Sequence, residues 1–154
     1  MKKILVSRCL YGGEPVRYDG KSKAEPDTRF LKWKEEGRLI PVCPEVLGGL
    51  PIPRPDAQRV GEKILARTGD DVTAEYTKGA REALKLALES GVICALLKEK
   101  SPSCGSSIIY DGSFSGKRIA GEGLTTELLR KAGFKVFSEN QLDEVEKLLC
   151  EINE

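Results

Sequence analysis

The sequence predicts an α/β protein: a doubly wound, mostly parallel, Rossmann-like sheet of four to five strands with helices on both faces. Short apolar runs of strand length alternate along the chain with stretches of helical periodicity. One of these runs, VICALLK at 92–98, is apolar without alternation, as expected of a central parallel strand buried on both faces. Right-handed crossovers between such strands give the doubly wound arrangement.

The elements follow in order. Residues 2–7 read as a first strand, followed by a turn at Gly12 and Gly13 and a polar stretch, RYDGKSKAE. From Pro26 the pattern becomes helical, with Phe30, Leu31 and Trp33 on the apolar face and Gly37 as the stop; residues 39–42 form a second strand. Between Pro44 and Asp71, prolines at 44, 51, 53 and 55 and glycines at 48, 49, 61 and 69 exclude a long regular element. A loop this long is usually functional or carries small elements of its own, so an active-site lid with a short hairpin around 58–67 is expected. Asp71 or Thr73 caps the helix AEYTKGAREALKLALES, which Gly91 ends. After the 92–98 strand come a loop, KEKSPSCGSS, and a small hairpin from IIYDG and SFSGKRIAG. A helix over 125–132, a strand at FKVF and a helix over 141–152 with apolar residues at 142, 145, 148, 149 and 152 close the chain.

With 154 residues and 40% apolar content, residues 1–154 are expected to form one domain. The 25 Lys and Arg nearly cancel the 24 Asp and Glu, which argues against a nucleic-acid coat or a membrane surface and for a small-molecule substrate. The apolar run in MKKILVS is too short for a signal peptide, and no stretch approaches the roughly 20 apolar residues of a membrane helix. A cytoplasmic location is expected. Five cysteines, an odd number in a chain too large to need stapling, read as ligands or nucleophiles rather than a disulfide framework. Histidine is absent, which removes Ser-His-Asp and Cys-His pairs and HExxH zinc sites.

Cys9, Cys43 and Cys104 each follow a strand-like run and sit in loops rich in Gly, Pro and Ser. The C-terminal strand ends of an open α/β sheet share one edge, so three thiolates distant in sequence meet there. Cys94, inside a strand, and Cys150, inside the last helix, read instead as core or surface thiols. Soft thiolates suit zinc, copper(I) or iron-sulfur chemistry, and the paired CxxC knuckles of zinc ribbons are missing. Three cysteines on a four-iron cluster would leave one iron open.

Glu45, two residues beyond Cys43, would project to the same side in an extended segment, and Ser101, Ser103, Ser106 and Ser107 crowd Cys104. Asp19, Arg54, Lys98 and Asp111 are weaker candidates. GEGLTTE places Gly121, Gly123 and Thr125 at a helix N-terminus, which suits a nucleotide phosphate or is an ordinary capped turn. Ser103, Ser106, Gly121, Gly123 and Thr125 are accordingly candidate substrate contacts.

Taken together, SRCLYGGEPVRYDGKSK, CPEVLGGLPIPRP, GDDVTAEYTKGA, LKEKSPSCGSSIIYDGSFSG and GEGLTTELLRKAGFKVFSE resemble the thiouracil desulfidase family over about residues 3–140. The resemblance implies a 4Fe-4S enzyme that releases hydrogen sulfide from thiolated uracil. It places three Cys ligands at Cys9, Cys43 and Cys104 and the catalytic Glu and Ser at Glu45 and Ser101. The implied chemistry is non-redox: an open iron binds the thiocarbonyl sulfur, Glu45 activates water, and Ser101 relays a proton or holds the ring. Many members carry a cysteine just before the RYDG motif, where this sequence has Val16, and some append a second domain that is not expected here. The alternatives are an iron-sulfur sulfur carrier or electron-transfer protein, and a zinc- or thiol-based module.

Overall fold

The structure, a computed structural model, describes residues 1–13, 16–20 and 24–151. Four strands form the central sheet: β1 (Ile4–Ser7), β2 (Leu39–Val42), β5 (Cys94–Leu97) and β8 (Lys135–Ser138). All pair in parallel, in the spatial order β2-β1-β5-β8. Two antiparallel hairpins lie outside it, β3 (Ala57–Val60) with β4 (Lys63–Ala66) and β6 (Ile108–Tyr110) with β7 (Arg118–Ala120). Both match the sequence expectation.

Side chains along a strand alternate between faces, so each apolar run supplies two cores at once. Ile4, Val6, Cys94 and Leu96 pack on one face against Phe30 and Trp33 of α2 (Thr28–Glu35) and Leu142 and Val145 of α6 (Leu142–Glu151). Leu5, Ala95 and Leu97 pack on the other against Ala83 and Ala87 of α4 (Thr73–Ser90) and Leu129 of α5 (Leu124–Lys131). The sheet is covered on both sides, as the periodicity required. Leu31 is a correction: it is 46% exposed, because one helical step turns it about 100° away from Phe30, whereas Trp33, three steps on, returns to the buried side. Ile152, assigned by its spacing to the last helix face, lies outside the described residues.

Two one-turn helices escaped the sequence reading. α1 (Arg8–Tyr11) begins directly after β1, and α3 (Pro44–Leu47) directly after Cys43. Cys9 therefore sits within a helical turn, and Glu45 in the first turn of α3 rather than in an extended segment. A single turn has too few residues to show a period. Proline at the first helical position is the signal that α3 does carry.

α3 is seated on α4 through two glycines. A Cβ at Gly79 would lie 1.7 Å from the Pro44 carbonyl oxygen, and one at Gly48 would lie 2.0 Å from the Glu75 carbonyl oxygen. The two backbones touch where any side chain would part them. Gly79→Ala gains about 1 kcal/mol of helix propensity but forces this contact apart, at a cost of about 3 kcal/mol. The clash wins. The midpoint of thermal unfolding should fall by roughly 4–8 °C, and an unchanged midpoint would show that α3 can move aside freely.

Candidate functional site

β1, β2, β5 and β8 all end at one edge of the sheet, and the strand order reverses about β1. Crossovers leave β1 on opposite sides toward β2 and β5, which opens a crevice at this edge. A cavity of about 470 Å³ lies there. Its lining includes Ser7, Cys9, Val42, Cys43, Glu45, Arg54, Tyr76, Lys98, Ser101, Cys104 and Glu139. The volume is in the range of small-ligand and cofactor sites, roughly 300–1,000 Å³.

The three strand-end cysteines meet here. Burial pushes the Cys9 thiol up to about 11, helped by the neighbouring Cys43 and opposed by Lys98. Cys43 is also raised by burial, and the Val46 amide at the start of α3 partly offsets this. Cys104, 5% exposed, is raised by burial most of all; the Ser7 hydroxyl acts against the shift, while Cys9 and Cys43 add to it. These three groups sense one another's charge. Among the described residues, no three His, Cys, Asp or Glu side chains close tightly enough to share a single metal ion. Cys94 is fully buried in the sheet core, where its thiol is pushed up to about 12, and Cys150 is exposed on α6.

The turn carrying Cys104 is held from several directions. Ser101 Oγ accepts the amides of Ser103 at 3.1 Å and Cys104 at 3.0 Å. Thr126 Oγ1 donates to the Cys104 carbonyl at 3.0 Å. The amides of Gly123, Leu124 and Thr125 donate to the carbonyls of Gly105, Pro102 and Ser103, and Ser103 Oγ bonds to Thr125 Oγ1 at 2.7 Å.

These bonds favour the capped-turn alternative for 121–127 over an anion site. The amides of Gly121 and of Gly123 through Thr126 are taken by carbonyls of the Cys104 loop, and Ser103, Ser106, Gly121, Gly123 and Thr125 do not line the cavity. A Cβ at Gly123 would sit 2.3 Å from the Ser103 carbonyl carbon. Gly123 thus permits close contact between the helix and the Cys104 loop.

Glu99, 6% exposed, organises the far end of the same loop. Its Oε1 accepts the amides of Ser106, Ser107 and Ile108 at 2.8, 3.0 and 3.1 Å, and its Oε2 accepts the hydroxyls of Ser106 and Ser107 at 3.0 and 2.8 Å. Burial alone would raise the carboxyl, but the Ser107, Ile108 and Ser106 bonds outweigh it and hold the group down at about 2. A depressed carboxyl stabilises the fold above its unfolded pKa, and that contribution is lost as pH falls toward 2. Glu99→Gln should therefore cost about 3 kcal/mol at pH 7, a difference from wild type that shrinks between pH 5 and 2 in denaturant titrations. A constant difference across that window would count against the carboxylate as the cause.

Glu45 is clamped by Arg54, whose Nε and Nη2 lie 2.9 and 2.8 Å from Oε2. Tyr76 of α4, absent from the sequence candidates because it reads as an ordinary core position, lines the cavity beside Glu45. Burial first, and then the Glu45 charge, raise its phenol well above the usual range, so it remains an O–H donor. Lys98 pairs with Glu139 at 2.6 Å. Asp19 and Asp111 do not line the cavity; Asp19 pairs with Arg17 at 3.7 Å and Asp111 accepts from Ser113. Val16 is buried, and its carbonyl accepts from Arg54 at 2.9 Å.

A family model described as 2-thiouracil desulfurase matches residues 4–141. The uncharacterised protein YbbK of Bacillus subtilis (strain 168) is 43% identical over 152 residues, covering 92% of this chain and 99% of YbbK. A solved structure, that of the 4Fe-4S-dependent thiouracil desulfidase TudS, superposes with a TM-score of 0.95 at 53% identity and covers 99% of this chain and 100% of that one. The match runs through all three cysteine loops and the four sheet strands, and this chain belongs to the 2-thiouracil desulfurase family.

Proposed function

We propose that the protein removes sulfur from thiolated uracil, as the base or as a nucleotide such as 4-thio-UMP, giving uracil and hydrogen sulfide, with Cys9, Cys43 and Cys104 holding a 4Fe-4S cluster. The observation that carries this reading is the convergence of three strand-end cysteines and Glu45 on one cavity of about 470 Å³. The donors fit the group: all three are soft thiols, they line one cavity and they sense one another's charge. When bound, such a cluster with three protein ligands supplies an open, Lewis-acidic iron with affinity for sulfur.

The remaining chemistry falls to side chains. Exchanging C=S for C=O consumes one water and releases one hydrogen sulfide with no net change in oxidation state. A base must take a proton from the attacking water, and Glu45 is the carboxylate beside Cys43. Ser101 Oγ already accepts two amides, so its O–H is left as a donor toward a polar atom of the pyrimidine ring. The Tyr76 hydroxyl stays protonated and is hydrogen-bonded to Glu45, which helps to hold the carboxylate in place. With the amides of Gly121 and of Gly123 through Thr126 taken, a nucleotide phosphate would rely on the cationic lining side chains Arg8, Arg17, Lys98 and Lys100.

The test is sulfide release by anaerobically reconstituted protein from 2-thiouracil, 4-thiouracil and 4-thio-UMP. Many equivalents of sulfide and matching uracil are expected from at least one. A loaded protein that releases none would remove the proposal, and release that stops at one equivalent per chain would favour a sulfur carrier instead.

A further inference from the structure

Arg54 is a buried, multiply bonded side chain at the site. Its side chain is 4% exposed, and four of its contacts are to fixed groups. Nε and Nη2 both reach Glu45 Oε2; Nη2 also donates to the Val16 carbonyl at 2.9 Å, and Nη1 donates to the Pro51 carbonyl at 3.0 Å. Its own amide donates to the Tyr18 carbonyl at 2.8 Å. The guanidinium thus ties together the 16–18 segment, the 51–54 segment and α3.

From this geometry we infer that Arg54 is the positioning residue for Glu45, and that it does so by taking one carboxylate oxygen out of the reaction. Two charge-assisted bonds converge on Oε2 and occupy its lone pairs. Arg54 leaves Oε1 open to accept a proton, with the Tyr76 hydroxyl as the carboxylate's other hydrogen-bond neighbour. Because the guanidinium is anchored to the Val16 carbonyl of another segment and to the Pro51 carbonyl of its own, the carboxylate is held against the scaffold and cannot swing with solvent. A planar fork does this and an ammonium does not, since a lysine makes one point contact where arginine makes several. Arg54 itself need not touch the substrate.

The inference rests on the proposed base role of Glu45. Steady-state kinetics of reconstituted Arg54→Met and Arg54→Lys, alone and in a Glu45→Gln background, test it. Arg54→Met should lose on the order of 10²-fold in kcat, the usual effect of misplacing a catalytic group by about an ångström, with KM and iron content unchanged. Arg54→Lys keeps the charge and should recover little of the loss. In the Glu45→Gln background, Arg54→Met should cause no further loss, because there is no base left to position.

A crystal structure of metal-free Arg54→Met should show the Glu45 carboxylate displaced. Wild-type kcat in Arg54→Met or in Arg54→Lys, losses that multiply with Glu45→Gln, or a defect in KM or iron content would each overturn the assignment. Should Arg54→Met fail to fold, Arg54→Lys decides it by the same measurements. Failure of wild type itself to release sulfide would instead strike the proposed activity, so the two failures are distinguishable.

Discussion

Cys104→Ser is expected to yield a folded protein that takes up no stable iron-sulfur cluster and releases sulfide only at background rate. The substitution is nearly isosteric, and the turn is held by bonds the sulfur does not make: Ser101 Oγ to two amides, Thr126 to the Cys104 carbonyl, and the Gly123 amide to Gly105. Backbone geometry should survive. The donor does not, because a buried hydroxyl is hard and keeps its proton, whereas a thiol can give its proton up to a soft cation. Two thiolates then remain for a cluster that needs three from this cavity. Absorbance near 400 nm and iron content after reconstitution should both collapse, while Cys150→Ser, on the exposed face of α6, should match wild type. Full iron loading in Cys104→Ser would remove this cysteine from the ligand set.

Much of this arrangement was legible in the residues. The strands were visible because β1 and β5 are buried on both faces and so read as unbroken apolar runs. The cysteines stood out because each follows such a run, and parallel strands must all end at the same edge. What stayed hidden depends on tertiary contact. Glu99 looks like any charged residue after a strand until three amides and two hydroxyls from 106–108 close on it.

Tyr76 is spaced like an ordinary core residue of an amphipathic helix, and nothing in its local pattern says that its ring reaches a cavity. The Gly48 and Gly79 contacts join segments about thirty residues apart, so neither glycine declares its partner. The 121–127 motif left two readings open. Its glycines do open a helix, but free amides are a property of the surroundings, and here the Cys104 loop supplies the acceptors. Local pattern fixed the element and left its ligand undetermined.

Glu45→Gln is expected to lower kcat by about 10²–10⁴-fold, the span attributed to a general base, while iron content stays at the wild-type level. Gln keeps the shape and one acceptor oxygen but cannot take a proton from water. The same substitution also has a structural consequence, and the two can be separated. Arg54 is 4% exposed at its side chain and loses its ion-pair partner Glu45, which for a deeply buried pair costs about 3–5 kcal/mol. Glu45 remains 17% exposed, and a Gln oxygen can still accept from the fork, so a smaller loss of about 1–3 kcal/mol is expected. Adding Arg54→Met removes the uncompensated cation, so the double variant should regain stability in denaturant titration and regain no activity. Recovery of turnover along with stability would mean that Glu45 matters as half of an ion pair, and turnover of Glu45→Gln within twofold of wild type would move the base to another residue.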